Sequence, residues 1–567
     1  MQSEPLGKAF FFFALLFFGA KLWLLSAHYL QATVSPHDDL LFVRSAWEII
    51  QGNWLGPYNQ YTLIKGPFYP FFMAVSYWLA MPLLASQQIL WAAAALVFVV
   101  ALYPALKNQT LALAIFLFLL VAPFTYTEPT IRVFREGFYP TLGFMLLSCM
   151  LGLFLREKES LGKRLVWACG ASIVFAAFWH TREESIWLVP SLLFLCAYHL
   201  WTIFHRYPSE RKKKFTQVLI VYLAPLGIFF AVTLAFCYQN YRYYGLFTTV
   251  EIESSPFKSA YDGLLRIKTD SWRQYYPVVR AARMKAYEVS PAFRELQSYI
   301  EGEKGQAWTK LNRSDDLPAA FFIWIFRDAV AAAGYYKDGG SAMEFYSRMG
   351  KELRQACDDG RLQCQPIFAS LVPPWNEAYN KLFIPTFAEI FSRIVRFNEL
   401  SADTDNMYSY APGEIMGLYA AVTREKIRTS MPRQERQLVP KRHLHLEYEK
   451  IRILNNITHG YSAIVPPLFF VACACFLASL CVSVYKRRLP SWSMAFAAAS
   501  LGGILSLTVI LTLLVITSYP EIGRAMQASY PMLLFFIIAS LHEGWCLCAR
   551  RRAEVTPDTY GRSSNNL

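Results

Sequence analysis

Apolar runs of membrane-spanning length alternate with shorter polar segments along most of this 567-residue chain. A run of about 20 apolar residues can cross a bilayer as a helix. The pattern therefore predicts a mainly α-helical, polytopic membrane protein with about ten transmembrane helices. The apolar runs cover residues 10–30, 88–105, 110–125, 138–155, 165–179, 186–204, 216–238, 461–484, 492–518 and 530–548.

The apolar segment 67–85 does not fit this regular alternation. It contains Pro67, Pro70 and Pro82, which disfavour a continuous spanning helix. If it crossed the membrane, the basic runs that follow it would change sides. We therefore predict an interfacial or re-entrant helix here, on the outer surface.

Positive charge is concentrated in short runs beside the apolar segments. With 67–85 left out of the count, alternation places these runs and both termini on the cytoplasmic side, as the positive-inside rule expects. Topology thus explains the net charge of +14, and no nucleic-acid partner is inferred. The length of the first run favours an uncleaved span over a signal peptide. We expect an integral protein of the bacterial inner (plasma) membrane. The basic runs lie at 156–164, 206–214, 486–488 and 550–552.

A polar region of more than 200 residues without a spanning run separates the seventh and eighth spans. Alternation makes it an extracytoplasmic domain, and its capping signals are mostly helical. Ser290 before Pro291 predicts a helix start, Ser341 with Glu344 a capping box, and Gly360 a helix stop. The predicted units are a transmembrane catalytic module 1–240 with an outer loop 31–87, a mostly helical outer domain 241–460, transmembrane helices 461–548 and a disordered cytoplasmic tail 549–567.

Two features of the outer domain invite a chemical interpretation. Cys357 and Cys364 are the only cysteines in this long polar region, and they can form a disulfide if it faces an oxidising compartment. A predicted apolar helix at 319–335 carries Trp324, Arg327 and Asp328 on neighbouring turns. That helix fits either a packed core element with an ion pair or part of an acceptor pocket.

The first outer loop contains two adjacent carboxylates, Asp38 and Asp39. Ser35 and Pro36 just before them resemble the start of an amphipathic helix, with Asp39 on its polar side. The two acids could simply favour the helix dipole. Alternatively they form part of an active site, because an acid pair beside a bilayer must face water or a partner.

The same loop ends in Lys65-Gly66-Pro67 at the start of the predicted interfacial helix. A lysine held by a rigid turn at the membrane surface can bind a lipid phosphate as a compact charge. It can equally be an interfacial lysine that extends towards the headgroups. The order of the whole loop favours the first interpretation.

The loop reads Asp-Asp, an aromatic residue, Ala-x-Glu, Gly-Asn-Trp-Leu and then Lys-Gly-Pro-x-Tyr-Pro. This order resembles the first outer loop of type C glycosyltransferases, especially the lipid A aminoarabinose transferases and the protein O-mannosyltransferases. Their pattern has Asp-Glu, Gly-Asp-Trp and Lys-Pro-Pro, so Asp39, Asn53 and Gly66 depart from it. The resemblance covers about the first 150 residues.

The resemblance implies roles for individual residues. Asp38 would be the base that activates the acceptor, and Lys65 would hold the phosphate of a polyprenyl-linked sugar donor. A second carboxylate would lie in the next outer loop, where Glu136 is the best match and Glu128 the second candidate. Residue spacing leaves open whether Asp38 or Asp39 is the base, since neighbouring helical positions point about 100° apart.

Two arginines in later outer loops are candidates for the donor phosphate. The leaving group of such a reaction is already an anion, so it requires cations rather than a general acid. Arg182 lies between the fifth and sixth spans, and Arg524 lies between the last two. Each also has carboxylates within four residues, so an ion pair or an interface anchor is the alternative.

No cofactor follows with certainty from the sequence. His37 and His180 lie near acids, but no pair of ligands shows a helical metal spacing. A divalent cation is therefore not favoured, and no metal ligand is assigned.

The leading hypothesis is a membrane glycosyltransferase that moves a sugar from a polyprenyl-phosphate donor to a lipid, glycan or protein acceptor at the extracytoplasmic face, with inversion. A transporter or flippase for a lipid-linked glycan is one alternative, and a non-catalytic envelope assembly protein is another. A polysaccharide ligase or polymerase also fits within the enzyme class. The sequence does not identify the sugar, the acceptor or the oligomeric state.

Overall fold

Helices form nearly all of the regular structure in a computed structural model that describes residues 6–270, 272–402, 409–429 and 441–555. Within those ranges the only β-type pairing is three isolated bridges. The predicted mainly α-helical class is therefore confirmed.

Long apolar helices form the N-terminal module. Most of them are long and apolar enough to span a membrane. Their bounds are α1 (Lys8–Leu25), α2 (Asp39–Ile50), α3 (Phe68–Trp78), α4 (Leu83–Leu106), α5 (Gln109–Leu120), α6 (Tyr139–Leu155), α7 (Leu161–Trp179), α8 (Val189–Arg206) and α9 (Arg211–Tyr244).

Helix α3 lies within the segment 67–85 that was predicted to be an interfacial or re-entrant helix. Its 11 residues rise about 16 Å at 1.5 Å per residue, about half of the hydrocarbon thickness. It cannot cross the bilayer. Helix α4 begins at Leu83, so the last residues of the predicted segment 67–85 belong to the next span instead.

The predicted span 110–125 is broken. Helix α5 ends at Leu120, and the chain bends by 51° into Pro123–Thr130. The buried Lys21 of α1 donates hydrogen bonds from Nζ to the Leu120 carbonyl, 2.7 Å away, and to Thr125 Oγ1, 3.0 Å away. These bonds satisfy backbone and hydroxyl oxygens at the break, which an apolar environment would otherwise leave unpaired.

The first part of the outer region has a hydrophobic core of its own, built from residues between Phe257 and Leu362. Its helices are mostly short and amphipathic, with aromatic side chains meeting in the centre. They are α10 (Ser255–Leu265), α11 (Arg280–Val289), α12 (Pro291–Arg294), α13 (Gln297–Ile300), α14 (Glu303–Leu311), α15 (Ala319–Ala332) and α16 (Gly339–Asp358).

The second part of the predicted outer domain packs differently. Helices α17 (Ala378–Arg396) and α18 (Gly413–Thr423) contribute buried residues to the same core as the membrane helices. Helix α18 packs against α2 and α3. The single outer domain predicted for 241–460 is therefore two parts, because the apolar face of each later helix is buried against the membrane module.

Three long helices complete the bundle: α19 (Lys441–Tyr485), α20 (Trp492–Thr517) and α21 (Ser529–Val555). Helix α19 begins 20 residues before the predicted span at 461, and α21 continues past the predicted end at 548. The rest of the predicted tail, 556–567, lies outside the described residues. Across the described chain there are nine candidate spans, or ten with the bent pair, which confirms the polytopic prediction.

The capping predictions for the outer domain are partly right. Ser290 caps α12 and accepts a hydrogen bond from the Phe293 amide, as predicted. The predicted box at Ser341 is wrong, because Asp338 is the N-cap of α16 and its Oδ1 accepts from the Ser341 amide. Helix α16 ends at Asp358, and Gly360 has a φ of +73° just after it.

The predicted cysteine pair lies at the end of α16. Cys357 and Cys364 form a disulfide with their Cα atoms 5.7 Å apart. It closes the turn that returns the chain to Ile267, which bridges to Cys364. The disulfide thus joins α16 to the loop at Cys364, and the bridge to Ile267 places that loop beside the segment that follows α10.

A buried ion pair fastens the outer domain to the first outer loop. Arg327 of α15 and Glu251 are both fully buried, with Nη1 and Oε1 2.6 Å apart. Arg327 also donates to the backbone carbonyls of Gln60, at 2.7 Å, and Thr62, at 3.2 Å. The Glu251 amide donates to the Leu63 carbonyl. The backbone just before Lys65 is therefore held by the outer domain.

Removing the guanidinium of this pair should destabilise the protein strongly. We expect Arg327→Met to lower the free energy of unfolding by about 3–5 kcal/mol, because Glu251 keeps a buried charge without its counterion. Arg348→Met is the matched control, since the Arg348–Glu295 pair is exposed and such pairs contribute at most about 1 kcal/mol. Denaturant unfolding in detergent micelles measures both. Equal losses in the two variants would show that the buried pair does not anchor the domain.

Candidate active site

The chain enters the first outer loop through backbone hydrogen bonds to distant segments. The Leu30 amide donates to the Lys426 carbonyl at 2.9 Å, and the Gln31 amide donates to the Ile131 carbonyl at 3.0 Å. Helix α2 then begins at Asp39, with Asp38 in the N-cap position. The predicted start at Ser35 is therefore too early, since residues 36–38 form a turn.

Asp38 and Lys65 contact each other directly. Asp38 Oδ1 and Lys65 Nζ lie 2.6 Å apart. The Lys65 side chain is 12% exposed, whereas the Asp38 side chain is 42% exposed. The lysine ammonium also lies 5.0 Å from the ring centre of Phe42 and 5.8 Å from that of Trp324. A carboxylate open to its surroundings is thus combined with a cation held among aromatic rings.

Asp39 occupies a different environment from its neighbour. Its side chain is fully buried and accepts two hydrogen bonds from Arg132, at 2.7 and 2.9 Å. The expected position on the polar side of the helix is therefore wrong, because the Arg132 guanidinium compensates the buried charge. Of the two adjacent acids, only Asp38 is accessible.

Gly66 joins the first outer loop to the two loops that follow. Its amide donates to Glu183 Oε1 at 2.9 Å. Glu183 in turn pairs with Arg135 at 2.8 Å. A Cβ atom added to Gly66 would lie 2.1 Å from the His180 carbonyl oxygen. Glycine at this position thus allows a backbone contact that the Pro of the family's Lys-Pro-Pro pattern would prevent.

The second predicted carboxylate is engaged by an arginine. Glu136 Oε1 lies 2.9 Å from Arg182 Nη1, and Arg182 also pairs with Glu184 at 2.6 Å. The ion-pair alternative for Arg182 therefore matches its geometry. Glu128, the second candidate, is exposed in a short 3₁₀ helix and makes no ion pair with the described residues.

Arg524 differs from the other candidate cations. It is exposed and makes no ion pair within the described part of the chain. Its guanidinium lies 4.3 Å from the ring centre of Phe134. The nearby Glu521 instead accepts a hydrogen bond from the Tyr519 hydroxyl, at 3.1 Å. Arg524 therefore remains available for an anion from outside the chain.

Charge near Asp38 alters its acidity. Burial raises the pKa of the Asp38 carboxyl, but Lys65, Arg524 and Arg135 together lower it, and the net pKa is well below the usual range. Burial lowers the pKa of Lys65, and Asp38 only partly opposes that change. Asp38 is therefore ionised throughout the neutral range, and the positive charge of Arg524 contributes to its low pKa.

A small cavity lies beside Lys65. It is lined by Lys65, Phe42 and Tyr61 and has a volume of about 20 Å³, enough for one water molecule. This cavity is too small for a sugar phosphate, which would instead reach the pair from the exposed side of Asp38. A far larger cavity, about 680 Å³, lies near Trp492 at the N-terminal end of α20, which is the end away from the Asp38–Lys65 pair.

The carboxylates of the site are matched one by one with basic side chains. Asp38, Asp39, Glu136 and Glu183 each pair with a lysine or an arginine. In the described part of the chain no three His, Cys, Asp or Glu side chains are grouped so that they could hold a metal ion. His37 stacks on Trp324, with ring centres 4.4 Å apart.

Three residues near the pair, Arg132, Arg135 and Tyr519, were not predicted from the sequence. Arg132 and Arg135 lie in the same loop as Glu136. The sequence signal for their ion pairs was that basic residues in this loop alternate with acidic residues in the other outer loops. Tyr519 precedes Arg524 and lies within electrostatic reach of Asp38. Nothing in its sequence position indicated that.

Comparison with known proteins adds one structural match. No protein-family model matches the chain, and no curated protein sequence does so. A search of solved structures finds the crystal structure of ArnT from Cupriavidus metallidurans in the apo state, at 13% identity. The match covers 94% of this chain and 76% of that chain, with a TM-score of 0.27.

The close contact at Gly66 leads to a stability prediction. We expect Gly66→Ala to lower the free energy of unfolding by about 1–3 kcal/mol, the usual cost of overpacking, because its Cβ would overlap the His180 carbonyl. Gly162→Ala is the control, since a Cβ there meets nothing within 4 Å. Thermal unfolding in detergent would show the difference, and a Gly66→Ala midpoint equal to that of the control would contradict the packing.

Proposed function

We propose that this protein is an inverting membrane glycosyltransferase that uses a polyprenyl-phosphate sugar donor. The observation that carries the proposal is the contact between the accessible Asp38 and the aromatic-enclosed Lys65. Arg524, which makes no ion pair with the described residues, supplies a second cation whose charge acts on Asp38. The group lies at one end of a bundle of membrane-spanning helices, where a lipid-linked donor would present its phosphate.

The proposed reaction is a single displacement. Asp38 removes the proton of an acceptor hydroxyl while that oxygen attacks the anomeric carbon of the donor sugar. The bond from the anomeric carbon to the phosphate oxygen breaks, and the electron pair stays on the phosphate. Lys65 and Arg524 stabilise the resulting charge. Attack opposite to the leaving group inverts the anomeric configuration, and the proton ends on Asp38.

Donor binding would also activate the base. In the free protein Asp38 is a weak base because Lys65 is bonded to it and lowers its pKa. A donor phosphate that binds Lys65 competes for the same ammonium protons. Once that contact loosens, burial raises the pKa of Asp38. The carboxylate would then become more basic when donor and acceptor are both present.

The neighbouring residues take supporting parts in this proposal. Asp39, enclosed by Arg132, fixes the start of α2 and is not the base. Glu136 and Arg182 hold the second and third outer loops together, so Arg182 contributes position rather than direct phosphate binding. Arg524 is the preferred second phosphate ligand.

The two alternatives make different demands. A transporter or flippase would need ionisable groups along a path through the spans. Lys21, the buried lysine of α1, is instead bonded to the chain at the break after α5. A non-catalytic assembly protein would tolerate replacement of Asp38, so the experiment below separates it from an enzyme.

Replacing either residue of the pair should impair transfer, and the two replacements should do so by different routes. We expect Asp38→Asn to lower kcat about 100- to 10,000-fold, because the general base is lost. Lys65→Ala should raise KM for the donor about 10-fold or more, since a charge-assisted contact to phosphate disappears. Purified protein in liposomes, supplied with polyprenyl-phosphate aminoarabinose or mannose and labelled acceptors, would measure both.

Suitable controls for this experiment are exposed residues of the outer domain. Asp270→Asn and Lys304→Ala remove the same charges at exposed positions of the outer domain that make no ion pair with the described residues, and both should keep full transfer. Asp39→Asn should lower stability more than it lowers the turnover of the folded fraction. Full activity in both Asp38→Asn and Lys65→Ala would refute the proposed roles.

The pH dependence of kcat/KM should report the Asp38 pKa. Because that pKa lies below its usual range, the wild-type profile should stay flat on the acidic side down to about pH 4. Arg524→Gln removes one group that lowers this pKa, so the acidic limb should move to higher pH. An unchanged limb would mean that Asp38 is not the ionising base.

A further inference from the structure

The end of the bundle opposite Asp38 contains a large cavity that the proposed reaction does not use. It has a volume of about 680 Å³ and is lined by Arg206, Lys486, Arg488, Trp492 and Glu543 among others. That size suits a small molecule or a lipid headgroup. The predicted topology places this end at the cytoplasmic surface.

An apolar groove of about 340 Å³ lies next to this cavity. It runs between α8, α19 and α20, and its lining includes Trp201, Phe476 and Leu480. Pro490 lines both spaces, and its carbonyl accepts a hydrogen bond from the Tyr198 hydroxyl at 2.8 Å. A charged cavity thus continues into a groove that suits a hydrocarbon chain.

Glu543 gives the cavity a specific chemical character. Its side chain is 4% exposed, and Oε2 accepts hydrogen bonds from the hydroxyls of Ser491 and Ser493. It forms no ion pair with any residue whose side chain the structure describes. A buried carboxylate near a membrane without a cation is costly, so a ligand that carries a positive group would satisfy it.

Cations line the same cavity. Arg206 pairs with Glu157 only at 3.6 Å and is 48% exposed. Arg488 is exposed and makes no ion pair with the described side chains. The lining therefore offers a carboxylate for a cation and guanidinium groups for an anion. Arginine is well suited to phosphate because its fork can donate two parallel hydrogen bonds.

We propose that this cavity and groove bind an aminophospholipid of the cytoplasmic leaflet. Its phosphate lies on Arg206 and Arg488, its primary ammonium lies on Glu543, and one acyl chain occupies the apolar groove. A phospholipid whose headgroup carries no amine, such as phosphatidylglycerol, lacks the ammonium and leaves Glu543 uncompensated. This site is independent of the proposed transfer reaction, and its test requires no activity.

Native mass spectrometry of the full-length protein, delipidated in detergent and then supplied with defined lipids, tests the proposal. Phosphatidylethanolamine should be retained about 10-fold better than phosphatidylglycerol, the value of about one charge-assisted hydrogen bond. Glycerophosphoethanolamine, which has the headgroup without the chains, should not be retained. Retention of that soluble headgroup would point to a site for free phosphate esters and would overturn the lipid assignment.

Variants distinguish the parts of the site. Glu543→Gln should remove the preference for phosphatidylethanolamine, and Arg488→Gln should weaken binding of both lipids. Lys304→Gln in the outer domain is the control and should change neither. If Glu543→Gln fails to fold, Leu480→Trp tests the groove, since it fills the chain site and should lower retention of both lipids. Equal retention of the two lipids by the wild type would overturn the role of Glu543.

Discussion

The structure depends on one electrostatic constraint, namely that charges at the membrane surface must be paired when they are buried. The contacts Lys65–Asp38, Arg132–Asp39 and Arg182–Glu136 each join residues that are distant in sequence. These pairs hold three outer loops against one another. They also decide which carboxylate can act, because only the pair with a partly exposed acid leaves a base accessible.

The outer domain contributes to the site through the same constraint. Arg327 is buried against Glu251 and donates to the loop backbone that precedes Lys65. Trp324, one turn earlier in α15, places its ring beside the Lys65 ammonium and His37. The domain therefore has a direct structural link to the proposed reaction, and a change in its position would alter the surroundings of the lysine.

The two ends of the bundle differ in their charged groups and in their cavities. One end combines the accessible carboxylate of Asp38 with the Lys65 ammonium, and the cavity beside that lysine measures only about 20 Å³. The opposite end has a large cavity that continues into an apolar groove. Helix α20 connects them, running from Trp492 beside the cavity to Thr517 near the outer loops. At both ends, a buried charge beside lipid requires a counterion, which comes either from the chain or from a ligand.

Apolar run lengths and charge bias determined the helical class, the number of spans and the short helix after Lys65, because these depend on local composition. The order of residues within the first outer loop also identified Asp38 and Lys65 as candidate site residues. Only the tertiary structure decided between Asp38 and Asp39, because the choice depends on Arg132, 93 residues away. The tertiary structure also shows that Arg182 pairs with Glu136 and Glu184, whereas Arg524 makes no ion pair with the residues that the structure describes. Partners for buried charges come from distant segments, and a linear pattern does not specify which segments meet.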